Sequence, residues 1–202
     1  MKIFGHPMST CTRKVLTTLA ETHTPYELVV VDFAKGEHKQ PPHTLRQPFG
    51  QVPALEDDGF ALYESRAMCR YLNDKVDGPL VPRDLRARAV AEQWISIESA
   101  NFSGHAMKFV YQYTFKRDVE AKVLEAAGQA LDKTLGIMDA QLAKHPYIAG
   151  STFTLADICY MPYLEYVMAS PAKEIVAKHP NVSAWWTKIS DRPSWRKVTG
   201  RA

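Results

Sequence analysis

The chain has few cysteines and no long apolar segment. Its 202 residues include only Cys11, Cys69 and Cys159, whose wide spacing fits neither a metal knuckle nor a disulfide framework. No apolar run approaches the roughly 20 residues that a membrane span needs, and residues 1–7 lack the apolar stretch of a signal peptide. These absences argue against export, and we expect a cytoplasmic protein with no membrane partner.

The chain also lacks an excess of either charge. Its 25 Lys and Arg residues against 22 Asp and Glu residues give a formal net charge of +3, and the basic residues are spread rather than clustered. Nucleic acid is therefore not an expected partner. Apolar residues at 46% and charged residues at 23% lie near the globular average, which excludes a disordered or fibrous chain. Internal repeats and low-complexity tracts are also absent.

The first third of the chain alternates strands and helices. A short strand over residues 2–4 ends at Gly5, a helix follows over residues 9–21, and residues 26–31 predict a buried strand parallel to the first. Asp57-Asp58-Gly59 then predicts a hairpin turn between two strands, and residues 65–75 have the spacing of an amphipathic helix. This order predicts an α/β domain over residues 1–76.

The rest of the chain is helical in pattern. One glycine and two prolines between residues 77 and 83 predict a linker, which we place at 77–84, and residues 85–202 predict an all-helical domain. The expected helices cover residues 85–115, 119–142, 155–168, 182–189 and a short segment near Ser194. Thr154 and Asp157 have the spacing of a capping box, so we interpret that acidic residue as structural rather than catalytic.

Two motifs in the first domain predict a peptide-binding edge: Gly50-Gln51-Val52-Pro53-Ala54-Leu55-Glu56 and Glu64-Ser65-Arg66-Ala67. Pro53 cannot donate to a strand ladder and makes the preceding residue extended, so Val52 can offer its own N–H and C=O to a ligand. Ser65 falls at a predicted helix N-terminus, where unpaired N–H groups attract a carboxylate. Backbone pairing beside an anion seat suits a small acidic peptide.

The sequence Ser9-Thr10-Cys11-Thr12-Arg13-Lys14 opens the first predicted helix and gathers hydroxyl and thiol groups there. One interpretation is an N-cap cluster with no further role. The other is that a hydroxyl holds a ligand thiolate ionised. Lowering a thiol pKa by two units takes ~2.7 kcal/mol, and one hydrogen bond to a charged group contributes about 1.5 to 3 kcal/mol.

These motifs together resemble those of the cytosolic glutathione transferases, most closely the phi-type group. The resemblance rests on Gly5-His6-Pro7-Met8-Ser9, Gly36-Glu37-His38-Lys39, Pro48-Phe49-Gly50-Gln51-Val52-Pro53 and Glu64-Ser65-Arg66-Ala67, and it covers the whole chain. It implies an N-terminal thioredoxin-like α/β domain, an all-α C-terminal helical domain, and conjugation of glutathione to apolar electrophiles without a metal.

The resemblance implies a role for each matching residue. Ser9 would stabilise the glutathione thiolate, and Val52 would pair with the cysteinyl unit before a cis Pro53, supported by Gln51. Two further pairs would hold the ends of the tripeptide: Glu64 and Ser65 at the γ-glutamyl end, and His38 and Lys39 at the glycyl carboxylate. Taken alone, His38 and Lys39 would be assigned to a solvated surface loop.

Other features leave alternatives open. Ser-Thr-Cys-Thr also resembles the zeta-type transferases, which act as glutathione-dependent isomerases, and Cys11 could itself attack a substrate. A non-catalytic glutathione-binding or docking module is a further alternative. The acceptor pocket would draw on Met8, Phe33, His105 and Phe109, although the same apolar pattern also fits a helix core. By resemblance, Phe49 would contact the second subunit of a homodimer.

Overall fold

The computed structural model describes residues 1–201. Contacts within the chain divide it into two units, the first made of residues 1–81 with 193–201 and the second of residues 82–192. Within residues 1–201, no helix combines the length and apolar character that crossing a bilayer demands.

The first unit is built on a four-stranded mixed sheet with strand order β2-β1-β3-β4. Strand β1 pairs in parallel with β2 and antiparallel with β3, which pairs antiparallel with β4. Helix α1 packs against α3 and α10. The bounds are β1 Lys2–Gly5, α1 Thr10–Glu21, β2 Glu27–Val30, a 3₁₀ turn Glu37–Lys39, α2 His43–Arg46, β3 Ala54–Asp57, β4 Phe60–Tyr63, α3 Ser65–Lys75 and α10 Pro193–Thr199.

Strand β2 corrects one prediction. It is parallel to β1 as expected, but it lies at the edge of the sheet and is not buried. Glu27 is exposed, and 54% of the surface of Val30 is accessible to solvent. A run of β-branched residues predicts a strand, but it does not tell an edge strand from a central one because the same residues suit both positions.

The predicted hairpin is present between β3 and β4. Asp58 and Gly59 both have positive φ, at 49° and 84°, as a type I′ turn requires. A right-handed sheet twist favours this turn, so the dipeptide Asp-Gly fixes the register of the two strands. That register pairs Ala54 at the start of β3 with Tyr63 at the end of β4.

The last helix joins the first unit, whereas the sequence pattern assigned it to the helical domain. Helix α10 packs on α1, and the Ser194 hydroxyl donates to the Glu21 carboxylate. Periodicity predicts that a helix exists but not what it packs against, which explains this difference.

The second unit is helical throughout. Its bounds are α4 Leu85–Ile97, a π-helical segment Glu98–Phe102, α5 Ser103–Phe109, a second π-helical segment Val110–Thr114, α6 Ala121–Leu142, α7 Leu155–Met168, α8 Lys173–Ala177 and α9 Pro180–Ser190. The predicted single helix over residues 85–115 is thus interrupted twice. At the second interruption the Phe115 N–H donates to the Val110 C=O, five residues earlier.

Asp157 organises the start of α7. The expected capping box is present, since the Thr154 side chain accepts from the helix backbone and Asp157 accepts from the Thr154 N–H at 2.9 Å. The same buried carboxylate also accepts from the Ile148 N–H at 3.0 Å and the Trp185 Nε1–H at 2.9 Å. Burial is the main influence on this carboxyl and raises its pKa, while the hydrogen bonds act in the opposite direction. The arrangement is structural.

Candidate active site

Ser9 is the N-cap of helix α1. It has extended backbone angles, with φ −72° and ψ 127°, and its Oγ accepts a hydrogen bond from the Thr12 N–H at 3.2 Å. Thr12 also accepts from the His6 N–H at 3.3 Å through its own hydroxyl. A Cβ on Gly5 would lie 2.7 Å from the Thr12 side chain, so glycine allows the end of β1 to approach the first turn of α1.

The cap leaves the Ser9 hydroxyl proton available. A serine hydroxyl can donate one hydrogen bond and accept two, and capping uses only an acceptor site. Within residues 1–201 the Ser9 O–H has no acceptor, and the side chain is half-buried. The two interpretations of this residue are therefore compatible, because one oxygen can cap the helix and donate to a ligand.

The three cysteines have different environments. Cys11 is half-buried at the second position of α1, whereas Cys69 and Cys159 are buried. Burial raises the pKa of the Cys69 thiol to about 11, so this thiol stays protonated near neutral pH. Across the described residues, no group of three or more His, Cys, Asp or Glu side chains is arranged to hold a metal ion.

The segment before β3 presents an open backbone edge at Val52. The Val52-Pro53 peptide is cis, and the side chain of Val52 packs against Phe4, Val31 and Ala54. In the described part of the chain, neither the N–H nor the C=O of Val52 has a hydrogen-bond partner. Both groups can therefore pair with an extended ligand, as β-augmentation requires.

Gly50 brings two loops together. Its φ is +60°, and a Cβ at this position would lie 2.7 Å from the His38 carbonyl oxygen and 2.8 Å from the Lys39 Cδ. The Lys39 Nζ donates to the Phe49 carbonyl at 3.1 Å. The His38 backbone and the Lys39 side chain thus lie directly beside the segment that leads to Val52.

His38 is half-buried with one nitrogen unused. Its Nδ1 is buried and has no hydrogen-bond partner among residues 1–201, while its ring meets Phe33 edge-on with the centroids 5.0 Å apart. Phe33 in turn stacks on His6 at 4.9 Å. Burial lowers the pKa of His38, and the nearby charges of Lys39 and His43 lower it further.

Glu64 and Ser65 form the N-terminus of helix α3. Glu64 is exposed and has φ +70° and ψ 102°, a conformation that is rare for a residue with a side chain. The first hydrogen bond of helix α3 runs from the Met68 N–H to the Glu64 C=O at 2.9 Å. The N–H groups of Ser65 and Ala67 come earlier in the chain, so neither has an acceptor within the helix. Ser65 itself is buried, and unpaired N–H groups at a helix start favour an anion.

The sheet register brings these features to one place. Phe4 lies opposite Ala54, and Ala54 lies opposite Tyr63. The end of β1, the start of β3 and the end of β4 therefore meet at the same end of the sheet. Ser9 follows the first, Val52 precedes the second, and Glu64 follows the third.

The four residues expected at the acceptor pocket divide between the two units. Met8 and Phe33 belong to the first unit and are exposed, each keeping about 40% of its surface. His105 and Phe109 belong to the second unit, where His105 is half-buried and the Phe109 ring is buried beside Tyr113, with parallel rings 6.4 Å apart.

Phe49 and two residues of helix α2 complete the region. Phe49 remains 65% exposed, and its ring meets Tyr63 edge-on. His43 and Gln47, which the sequence motifs did not indicate, hold the backbone of Gln51. The His43 Nε2 lies 2.6 Å from the Gln51 carbonyl oxygen, and the Gln51 N–H donates to the Gln47 Oε1 at 3.0 Å. Their spacing of four residues, which puts both side chains on one side of a helical turn, is the only sequence signal of this arrangement.

Fold and site define the general class of the protein. A sheet of this order with a peptide-binding edge beside a cis proline characterises a thioredoxin-like α/β domain, here followed by an all-helical unit. Comparison with known proteins agrees. Residues 1–74 match the family model for the glutathione S-transferase N-terminal domain, and residues 102–193 match that for the C-terminal domain.

Relatives that match over nearly their full length include plant glutathione transferases. The chain is 38% identical over 205 residues to glutathione S-transferase PARB from Nicotiana tabacum, covering 98% of this chain and 96% of the relative. Glutathione transferase F7 from Populus trichocarpa superposes with a TM-score of 0.94 at 38% identity, over 98% of this chain and 97% of that one. Glutathione S-transferase I from mais, solved with an atrazine glutathione conjugate, superposes with a TM-score of 0.90 at 34% identity, over 98% and 96% of the two chains.

The chain belongs to the glutathione S-transferase family. The phi-type resemblance and the expected fold class are confirmed, and the zeta-type character suggested by the residues around Cys11 finds no support.

Proposed function

We propose that the protein is a glutathione transferase that ionises the thiol of glutathione and directs the thiolate to apolar electrophiles. The observation that carries this proposal is the convergence of three features at one end of the sheet. They are the unused Ser9 hydroxyl proton, the unpaired backbone groups of Val52 and the N-terminus of α3. Relatives that match this chain over nearly their full length are named glutathione transferases, which supports the proposal.

In this proposal the tripeptide lies across the edge with each part facing a matching group. The cysteinyl unit pairs with the N–H and C=O of Val52, next to Pro53. The γ-glutamyl carboxylate accepts from the start of α3 at Ser65, and the Glu64 carboxylate faces the ligand's α-amino group.

The opposite end of the tripeptide meets one histidine and one lysine side chain. His38 and Lys39 face the glycyl carboxylate, and Gln51 supports the stretch between them and Val52. The unpartnered Nδ1 of His38 is consistent with a site that a ligand completes.

Ser9 supplies the chemistry in the proposed reaction. Its hydroxyl donates to the glutathione sulfur, the thiol proton leaves to solvent, and the thiolate forms a C–S bond to the electrophile. A displaced halide takes the bonding electrons in a substitution. In an addition the π electrons of the attacked double bond move to its other atom, which is the nitrogen of an isothiocyanate, and that atom is then protonated. Ser9 forms no covalent bond, and Cys11 is not required.

The acceptor side and the assembly are further parts of the proposal. Met8 and Phe33 of the first unit offer exposed apolar surface for the electrophile. The exposed ring of Phe49 would enter a pocket of the second subunit in a homodimer. Three cysteines outside disulfide bonds suit the reducing cytoplasm.

Activity of the purified protein tests the proposal. We expect saturable conjugation of an aryl halide and of an isothiocyanate, and a thiolate absorbance band when glutathione binds at neutral pH. Binding without that band or any conjugation would instead indicate a docking module. Turnover of a cis-dienoic keto acid without consumption of glutathione would indicate an isomerase. Absence of glutathione binding would refute the proposal altogether.

A further inference from the structure

One turn of helix holds both polar backbone groups of Gln51. His43 and Gln47 lie four residues apart at helix α2 and just after it, so they share one side of that turn. They are 4% and 2% exposed. The Gln51 N–H donates to the Gln47 side chain at 3.0 Å, and the Gln51 carbonyl lies 2.6 Å from the His43 Nε2.

The chemistry of the carbonyl fixes the direction of the second bond. A carbonyl oxygen only accepts, so the His43 Nε2 must carry the hydrogen and donate it. In the part of the chain that the structure describes, the buried Nδ1 of the same ring has no hydrogen-bond partner. A buried imidazole normally has both nitrogens satisfied. Here the ring has a single side-chain hydrogen bond, and that bond goes to the segment that carries the binding edge.

That bond orients the group that meets the ligand. The Gln51 C=O and the Val52 N–H belong to the same planar peptide unit, on opposite sides of it. Holding the carbonyl oxygen against His43 therefore directs the Val52 N–H away from α2. Gln47 holds the preceding peptide unit, which contains the Gln51 N–H.

We infer that His43 is a positioning residue that orients the Val52 N–H toward glutathione before the ligand binds. The inference rests on the proposed function, because Val52 is the group assigned there to the cysteinyl unit. His43 itself touches neither the ligand nor the reacting sulfur, so its contribution concerns glutathione binding and not the chemical step.

The test compares variants at His43 with a matched control. In His43→Phe the ring volume remains but the donor is lost, and we expect the KM for glutathione to rise about tenfold. The kcat at saturating glutathione and the KM for the electrophile should stay within about twofold, since the chemical step is untouched. His43→Gln restores an amide N–H of similar reach and should return the glutathione KM to within about threefold.

His179→Phe is the control variant. This half-buried imidazole also makes one Nε2 hydrogen bond, to Asp132 at 2.9 Å, but it belongs to the second unit. Loss of the hydrogen bond between His179 and Asp132 should lower stability about as much as His43→Phe does and leave the glutathione KM unchanged. If His43→Phe raises the KM no more than His179→Phe does, or if His43→Gln gives no recovery, the positioning role is wrong.

A measurement on the unmodified protein keeps the inference testable if His43→Phe fails to fold. Nuclear magnetic resonance should detect a coupling across the hydrogen bond between the His43 Nε2 and the Gln51 carbonyl carbon without ligand. Its absence would overturn the inference. If His43→Phe conjugates normally with an unchanged glutathione KM, this inference alone is overturned. If the unmodified protein binds no glutathione, the proposed function is overturned together with it.

Discussion

Replacing Ser9 by alanine should abolish both of its roles, and a second cap variant can then separate their effects. The structure gives the Ser9 oxygen one contact, with the Thr12 N–H at 3.2 Å, and leaves its proton for a ligand. Ser9→Ala removes the cap and the proposed donor together, so the variant should lose both stability and thiolate formation. Ser9→Thr keeps a hydroxyl in the same place and should retain most of both.

The expected magnitudes differ for the two losses. Loss of an N-cap costs about 1 kcal/mol of unfolding free energy. Loss of a hydrogen bond to a charged group costs about 1.5 to 3 kcal/mol, which raises the pKa of the bound thiol by about one to two units. If the thiol in the unmodified complex has a pKa of ~6.5, its thiolate fraction at pH 7 should fall about threefold for a one-unit rise and about 25-fold for a two-unit rise.

The assay is a pH titration of bound glutathione by thiolate absorbance, with kcat measured over the same range. Turnover of Ser9→Ala should be low near neutral pH and approach that of the unmodified enzyme as the pH passes the raised pKa of the thiol. The glutathione KM should change little, since the tripeptide keeps its backbone and carboxylate contacts.

Asp84→Ala controls for the lost cap. Asp84 caps helix α4 by accepting from the Ala87 N–H at 2.9 Å, and it lies in the second unit. This variant should lose a similar amount of stability with an unchanged pH profile. A Ser9→Ala enzyme with the pH profile of the unmodified protein would show that the hydroxyl does not stabilise the thiolate.

Three further predictions concern pH, assembly and stability. The pKa of His38, followed by NMR, should lie below 6.5 and rise on glutathione binding. Because the fold disfavours the charged form of His38, the free energy of unfolding should fall as the pH drops below ~6.5. The His38→Gln variant should show a smaller fall. Phe49→Ser should shift the sedimentation of the protein toward monomer, and an unchanged profile would remove this ring from the interface. Asp157→Ala leaves the buried donors of Ile148 and Trp185 unpaired and should lower the free energy of unfolding by about 3 kcal/mol or more in denaturant titrations; a loss under ~1 kcal/mol would contradict this account.

Local signals predicted the elements that depend on a few neighbouring residues. The hairpin follows from Asp58 and Gly59 because only a turn with two positive φ angles fits the sheet twist. The start of α7 follows from Thr154 and Asp157 because a capping box is complete within four residues. Neither needs information from elsewhere in the chain.

Features that depend on distant contacts were harder to predict. The half-exposed strand β2 and the assignment of α10 to the first unit both depend on what packs alongside. Helix α2 is a single turn after Pro41 and Pro42, too short for periodicity to show. The π-helical segments change the hydrogen-bond spacing without an obvious change in composition.

The candidate site shows the same division. Ser9, Val52 and Ser65 could each be proposed from its own motif, but only the strand register shows that the three motifs meet at one end of the sheet. His43 could not be proposed, because its hydrogen-bond partner lies eight residues further along the chain and nothing local requires the contact.

The backbone of Glu64 has a consequence for how this turn can evolve. A positive φ at a non-glycine residue costs about 1 to 3 kcal/mol, and glycine would adopt φ +70° without that strain. Glycine would also remove the carboxylate assigned to the amino group of the tripeptide. The backbone strain at this position therefore opposes the carboxylate that we propose for the tripeptide, and relieving it with glycine would forgo that contact.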